Sequence, residues 1–100
     1  MFLSGQLGFG SNGSIVSGGI EEQTVQTLAN IDTLIQSIGA SKHDIAKATV
    51  WLTKKDDFAG FNKAYAAYFG EHLPARSCVC SDLLVEGALV EIEVAVYRPD

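Results

Sequence analysis

The stretch from Ala88 to Tyr97 limits the fold more than any other. Ala88, Val90, Ile92, Val94 and Val96 alternate without a break with Leu89, Glu91, Glu93, Ala95 and Tyr97. Side chains along a β-strand point to opposite faces in turn, so the pattern demands a sheet with one wholly apolar face. A second strand is read over Ala46 to Thr53, with Ala48, Val50 and Leu52 on one face and Thr49, Trp51 and Thr53 on the other. Pro74 opens a third, running to about Ser81, and Asp82 to Gly87 connects it to the last strand. Phe2 to Phe9 reads as a strand broken by glycine, followed by a glycine- and serine-rich loop from Gly8 to Gly19.

Two helices supply the cover. The first runs from about Glu21 to Ile38, with Val25, Leu28, Ile31, Ile35 and Ile38 at helical spacing, acidic residues at its start and Gly39 as a stop. In the second, Phe58, Phe61, Tyr65 and Phe69 form the apolar stripe, Asp56 or Asp57 is the expected cap, and Gly70 ends it. Ser41 and Asp44 have the spacing of a capping box on a short helical turn between these elements. The order is β, loop, α, β, α, β, β, an α+β chain whose mixed sheet carries two helices on one face. That leaves the other face bare, and Leu89, Ala95 and Tyr97 make it half apolar, so an oligomer is expected.

The 100 residues are read as one domain, 1–100, with 47% hydrophobic and 19% charged residues. A formal charge of −5, with seven Lys and Arg in total, argues against a nucleic-acid footprint. No apolar run approaches the length of a membrane span, and the N-terminus lacks the form of a signal peptide, so the expected compartment is the cytoplasm. Cys78 and Cys80 share one strand face, a spacing too strained to bridge, and are read as reduced thiols.

Within these strands, Arg76 and Glu91 place charge on segments that otherwise read as sheet core. Such groups are paired or used. A guanidinium offers a rigid fork to a carboxylate, and a nearby Glu can hold or activate water, which together suit a pocket for a small acid. The bland alternative pairs Arg76 with Glu91 or Glu93 across adjacent strands. Cys78 is ranked as a wall residue rather than a nucleophile, because only Arg76 stands near it in sequence to stabilise a thiolate. Gly8-Phe9-Gly10-Ser11-Asn12-Gly13 spells a dinucleotide fingerprint, but seven residues separate it from the first helical position, so it is read as a turn. His43 and His72 are read as isolated surface or turn residues, poor material for a metal site or a base.

The chain resembles the Rid/YjgF family, the reactive intermediate deaminases also labelled L-PSP endoribonuclease-like. The resemblance runs through Ser4-Gly5-Gln6, Gly19-Ile20-Glu21-Glu22-Gln23-Thr24, Asn30-Ile31, Val50-Trp51-Leu52-Thr53, Asp57-Phe58-Ala59, Asn62, Tyr65 and Tyr68-Phe69. Its most specific part is Pro74-Ala75-Arg76-Ser77 with Glu91-Ile92-Glu93 downstream. It implies a chorismate-mutase-like fold assembled as a homotrimer, with ligand sites in clefts between subunits. Enzymatic members, of the 2-iminobutanoate/2-iminopropanoate deaminase type, hydrolyse enamines and imines such as 2-aminoacrylate to a 2-keto acid and ammonia without metal or cofactor.

By that likeness, Arg76 binds the substrate carboxylate and Glu91 positions or activates the attacking water. Ser4 and Gly5 line the pocket, Asn62 supports it, and the Cys78 main chain meets the imine end. The expected partners are small 2-imino or 2-keto acids, with no nucleic acid and no membrane. This chain begins at what is usually the family's second strand, so the first strand, with its Gly-Pro-Tyr-Ser segment and pocket tyrosine, is shortened or missing. Cys80 also stands where an acidic residue is common, and Val85 where proline is often seen. A non-catalytic oligomer binding small carboxylates or client proteins is the alternative. A ribonuclease that inhibits translation ranks below both, because the chain is acidic and has no basic groove.

Overall fold

The structure, a computed structural model, describes residues 1–97. Helix α1 spans Ile20–Ser37, strand β1 Ile45–Leu52, helix α2 Phe58–Phe69, strand β2 Ala75–Cys80 and strand β3 Val90–Val96. The sheet is mixed, in the order β2-β1-β3, with β1 parallel to β2 and antiparallel to β3. Two helices packed on a mixed sheet are the architecture expected; the sheet has three strands, because the first expected strand pairs with β3 only through isolated bridges.

The core lies between helices and sheet. Ala48, Val50 and Leu52 of β1 join Val90, Ile92, Val94 and Val96 of β3 against Leu28, Ile31 and Ile35 of α1 and Phe61, Tyr65 and Phe69 of α2. Burying each large side chain of this set is worth roughly 1.5–3 kcal/mol. The α1 stripe, however, is rotated from the one expected. Gln23, Thr24 and Thr27 are buried with Leu28, Ile31 and Ile35, whereas Val25 and Ile38 are exposed. Burial of Gln23 and Thr27 is tolerated because the Thr27 hydroxyl donates to Gln23 O at 2.7 Å and the Gln23 amide serves a neighbouring loop, whereas the buried Thr24 hydroxyl has no partner among the described residues.

Several local expectations hold. Gly39 (φ 80) follows α1, with its N–H bonded to Gln36 O and that of Ala40 to Ile35 O, so the last carbonyls are satisfied. Ser41 and Asp44 form both bonds of the capping box. Residues 8–16 form a small hairpin, Gly10 N–H to Ser14 O and Val16 N–H to Gly8 O, so the glycine fingerprint is a turn.

Others are corrected. Neither Asp56 nor Asp57 caps α2. A 3₁₀ turn over Lys55–Asp57 runs straight into the helix, so Asp57 already has helical dihedrals and its side chain makes no cap bond. Phe2 to Phe9 is not a continuous strand. It lies antiparallel along the outer edge of β3 through separate bridges, Phe2 with Ala95 and Gln6 with Ile92. His43 and His72 are not isolated, since their rings meet edge to face with centroids 5.5 Å apart. No group of three or more metal-ligating side chains forms among the described residues, and no helix there is long and apolar enough to cross a membrane.

Candidate functional site

Residue parity along the strands decides which side chains can meet. Arg76 is directly opposite Ala48 on β1, so it shares the helix-facing side of the sheet with Cys78 and Cys80, which pair with Val50 and Leu52. Glu91 is opposite Trp51 and Glu93 opposite Thr49, on the uncovered side. β1 stands between β2 and β3, adding about 10 Å of lateral separation at the usual strand spacing. Within one chain, Arg76 and Glu91 therefore sit on opposite faces and form no common pocket. The bland alternative also fails: β2 and β3 are not adjacent, so Arg76 pairs with neither Glu91 nor Glu93.

Each charge instead anchors its own group of residues. Arg76 Nη1 donates to Asn62 Oδ1 at 2.8 Å. Its guanidinium carbon lies 4.9 Å from the ring centre of Tyr65, 5.5 Å from Phe61 and 5.8 Å from Phe58. These rings belong to α2, which presents positions 58, 61, 62 and 65 to the β2 edge. The aromatic faces and the amide hold the cation in one orientation. Among the described residues no carboxylate pairs with it; the ion pair found there joins Lys63 and Glu21. A cavity of about 320 Å³ opens at this point between Asn62, Tyr65, Ala66, Leu73, Pro74 and Arg76.

Burial tunes the neighbouring protons. Desolvation pushes the Tyr65 phenol up to about 12, with the Arg76 charge opposing and Cys78 adding to the rise. The Tyr65 hydroxyl is buried without a partner among the described residues. The Cys78 thiol is also raised, by desolvation first, with Arg76 working against the rise and Cys80 adding to it. A thiol held protonated is a wall rather than a nucleophile. Both cysteines are free.

The second group surrounds Glu91. The first residues of the chain run beside β3, with Gln6 N–H to Ile92 O at 2.7 Å and Ile92 N–H to Gln6 O at 2.9 Å. This places Gly5 directly under the Glu91 carboxylate. A Cβ at Gly5 would collide with Glu91 Oε2 and come within 2.9 Å of its Cδ. Ser4 is next to it and exposed. Ser4, Gly5 and Glu91 thus form one patch, and Arg76, Asn62 and Cys78 another.

Two residues that set this geometry carried no chemical signal in the sequence. Gln23 donates its amide N–H to Gly87 O at 3.0 Å and accepts from Leu89 N–H at 2.8 Å, bracing the approach to β3. Asn30 donates to Leu7 O and Phe9 O at 3.1 and 3.0 Å, pinning the N-terminal segment to α1. Their presence in the motifs of the family resemblance was the available hint.

Comparison with known proteins places the chain. The family model described as Endoribonuclease L-PSP matches residues 1–98. A RutC family protein of Pyrococcus horikoshii is 41% identical over 99 residues, covering 98% of this chain and 79% of the relative. The 2-iminobutanoate/2-iminopropanoate deaminase of Capra hircus is 38% identical over 101 residues, covering 99% of this chain and 74% of the relative. The crystal structure of YyfA from Yersinia pestis, a Rid family protein of unknown function, superposes with a TM-score of 0.91 at 39% identity over 97% of this chain and 79% of that one. With the strand order, the two helices and the Pro-Ala-Arg-Ser strand, these likenesses decide the family: the chain belongs to the Rid/YjgF family, the endoribonuclease L-PSP-like proteins.

Proposed function

We propose that this protein hydrolyses reactive enamines and imines of small 2-amino acids, 2-aminoacrylate among them, to the 2-keto acid and ammonia. Its related deaminases carry names of that activity. The observation that carries the reading is Arg76: an oriented guanidinium beside a cavity, with no carboxylate of the described residues spent on it. Such a group suits a ligand carboxylate in a bidentate contact.

The two patches complete one site when copies of the chain associate, so that Arg76, Asn62 and Cys78 of one face Glu91, Gly5 and Ser4 of the next. The half-apolar, uncovered sheet face supplies the surface for this, and a closed homotrimer is the assembly proposed. In that cleft the carboxylate rests on Arg76 and the C=N carbon lies against the Cys78 backbone. Glu91 accepts a proton from water as its oxygen adds to that carbon and passes it to the imine nitrogen, giving a carbinolamine. It then takes the hydroxyl proton and delivers it to nitrogen as C=O forms and the C–N bond breaks. Water is consumed and ammonia leaves. 2-Aminoacrylate joins the same path once a proton on its methylene carbon turns the enamine into the imine. Imine hydrolysis has a modest barrier, so alignment plus one acid–base group is sufficient chemistry.

Generating 2-aminoacrylate in situ and following keto-acid formation tests the reading. Wild-type protein should accelerate it, Arg76→Lys should lose about tenfold and Arg76→Ala about a hundredfold or more, as expected for charged hydrogen bonds worth about 1.5–3 kcal/mol each. Equal rates with and without protein would end the proposal. The separation of Arg76 from Glu91 within one chain favours a second reading, a carboxylate-binding protein without turnover. Saturable binding of 2-oxobutanoate that depends on Arg76, with no hydrolysis, would select it.

A further inference from the structure

A second cavity adjoins the Arg76 group and has no role in the reading above. It measures about 260 Å³ and is walled by Leu52, Lys55, Phe58, Cys78, Val79 and Cys80. Two of its walls also belong to the Arg76 group. The Phe58 ring centre lies 5.8 Å from the guanidinium carbon, and Phe58 also lines the cavity. Cys78 stands between Arg76 and Cys80 on the same face of β2. Alternate residues on a strand are about 6.6 Å apart, so anchor, reaction centre and cavity follow one another along β2.

A 2-imino acid has its carboxylate and its side chain on the same reacting carbon. With the carboxylate on Arg76 and that carbon against Cys78, a side chain continuing along β2 towards Cys80 enters this cavity, whereas the cavity at Arg76 itself is lined by α2 residues with Leu73 and Pro74 and does not include Cys78. The surfaces it meets there are Leu52, Phe58 and two sulfurs, with the exposed Lys55 as the one charged group in the lining. Nothing in that lining repels an apolar group, and among the described residues no carboxylate lines it. Resting on the reading of Arg76 as carboxylate anchor, we propose that this cavity is the side-chain subsite and selects 2-imino acids with apolar side chains of about isobutyl size over those with a methyl group. Apolar contact of this kind discriminates by about tenfold or more for a few carbons.

The stable 2-keto acids probe this directly. Dissociation constants for pyruvate, 4-methyl-2-oxopentanoate and 2-oxoglutarate are measured by calorimetry on wild type, Cys80→Trp, Cys80→Ala and Arg76→Ala. Wild type should bind the isobutyl acid at least about tenfold tighter than pyruvate. Cys80→Trp, which fills the cavity from its exposed lip, should bring that ratio to about one, while Cys80→Ala should keep it. Matched melting temperatures confirm that both variants are folded. Equal affinity of wild type for the isobutyl acid and pyruvate, with both still lost in Arg76→Ala, overturns the subsite and leaves the anchor standing. Tighter binding of 2-oxoglutarate assigns the cavity to acidic side chains through Lys55 and also overturns it. Unchanged affinities in Arg76→Ala remove the anchor, and the subsite with it.

Discussion

Arg76 owes its behaviour to its setting. Three aromatic faces and one amide restrain a side chain that otherwise carries about 2 kcal/mol of rotamer entropy, so under the proposed function a carboxylate would meet a fork already aimed. Glu91 is placed by an absence, the missing Cβ of Gly5. Gly5→Ala should therefore push the carboxylate aside. Keto-acid formation should fall by at least about tenfold, since an ångström of misplacement costs about that or more, while the melting temperature changes little; unimpaired turnover would show that Glu91 acts elsewhere or not at all. The two thiols should differ as well. Burial raises Cys78 and half covers it, whereas Cys80 is exposed, so iodoacetamide at neutral pH should label Cys80 first, as peptide mass spectrometry can show. The Cys78 shift is upward, so its own labelling should rise when the pH is raised to 9.

At the scale of elements, the strands were legible and the helix faces less so. Alternation over 88–97 and 46–53 locates β3 and β1 to within two residues, because one face of each is sealed by the helices. The α1 stripe was misread because Gln23, Thr24 and Thr27 are buried with Leu28. An apolar-only pattern cannot register a buried amide whose two bonds go to a loop distant in sequence. That amide makes a prediction. Gln23→Ala leaves Leu89 N–H and Gly87 O without their partner and should lower stability by about 1–3 kcal/mol in urea unfolding. A change within about 0.5 kcal/mol would mean that water replaces both bonds. The Asp57 cap failed for a similar reason: the preceding 3₁₀ turn had already set its backbone in the helical region.

At the scale of the molecule, the strand order matters most. With β1 central, a ligand that needs both Arg76 and Glu91 needs two copies of the chain. Mixing inactive Arg76→Ala with inactive Glu91→Gln should then restore activity after the subunits are unfolded and refolded together. In a closed ring assembled at random from equal amounts, about a quarter of the clefts receive both intact residues. Regained keto-acid formation at about that fraction of wild type supports a shared cleft, and none at all denies it. Sedimentation of the same mixture reports whether the copies assemble at all and whether three associate, as proposed.

The sequence alone determined the elements, the half-buried sheet, the reduced thiols as a reading and the family resemblance, because these depend on local periodicity and on short motifs. The whole-molecule arrangement decided the rest. Glu91 lies fifteen residues after Arg76, and that number says nothing of which strand lies between them or which face each one takes. Those follow from pairing: Arg76 lies across from Ala48 and Glu91 across from Trp51, and the odd offset between these two β1 positions sends the charges to opposite sides of the sheet.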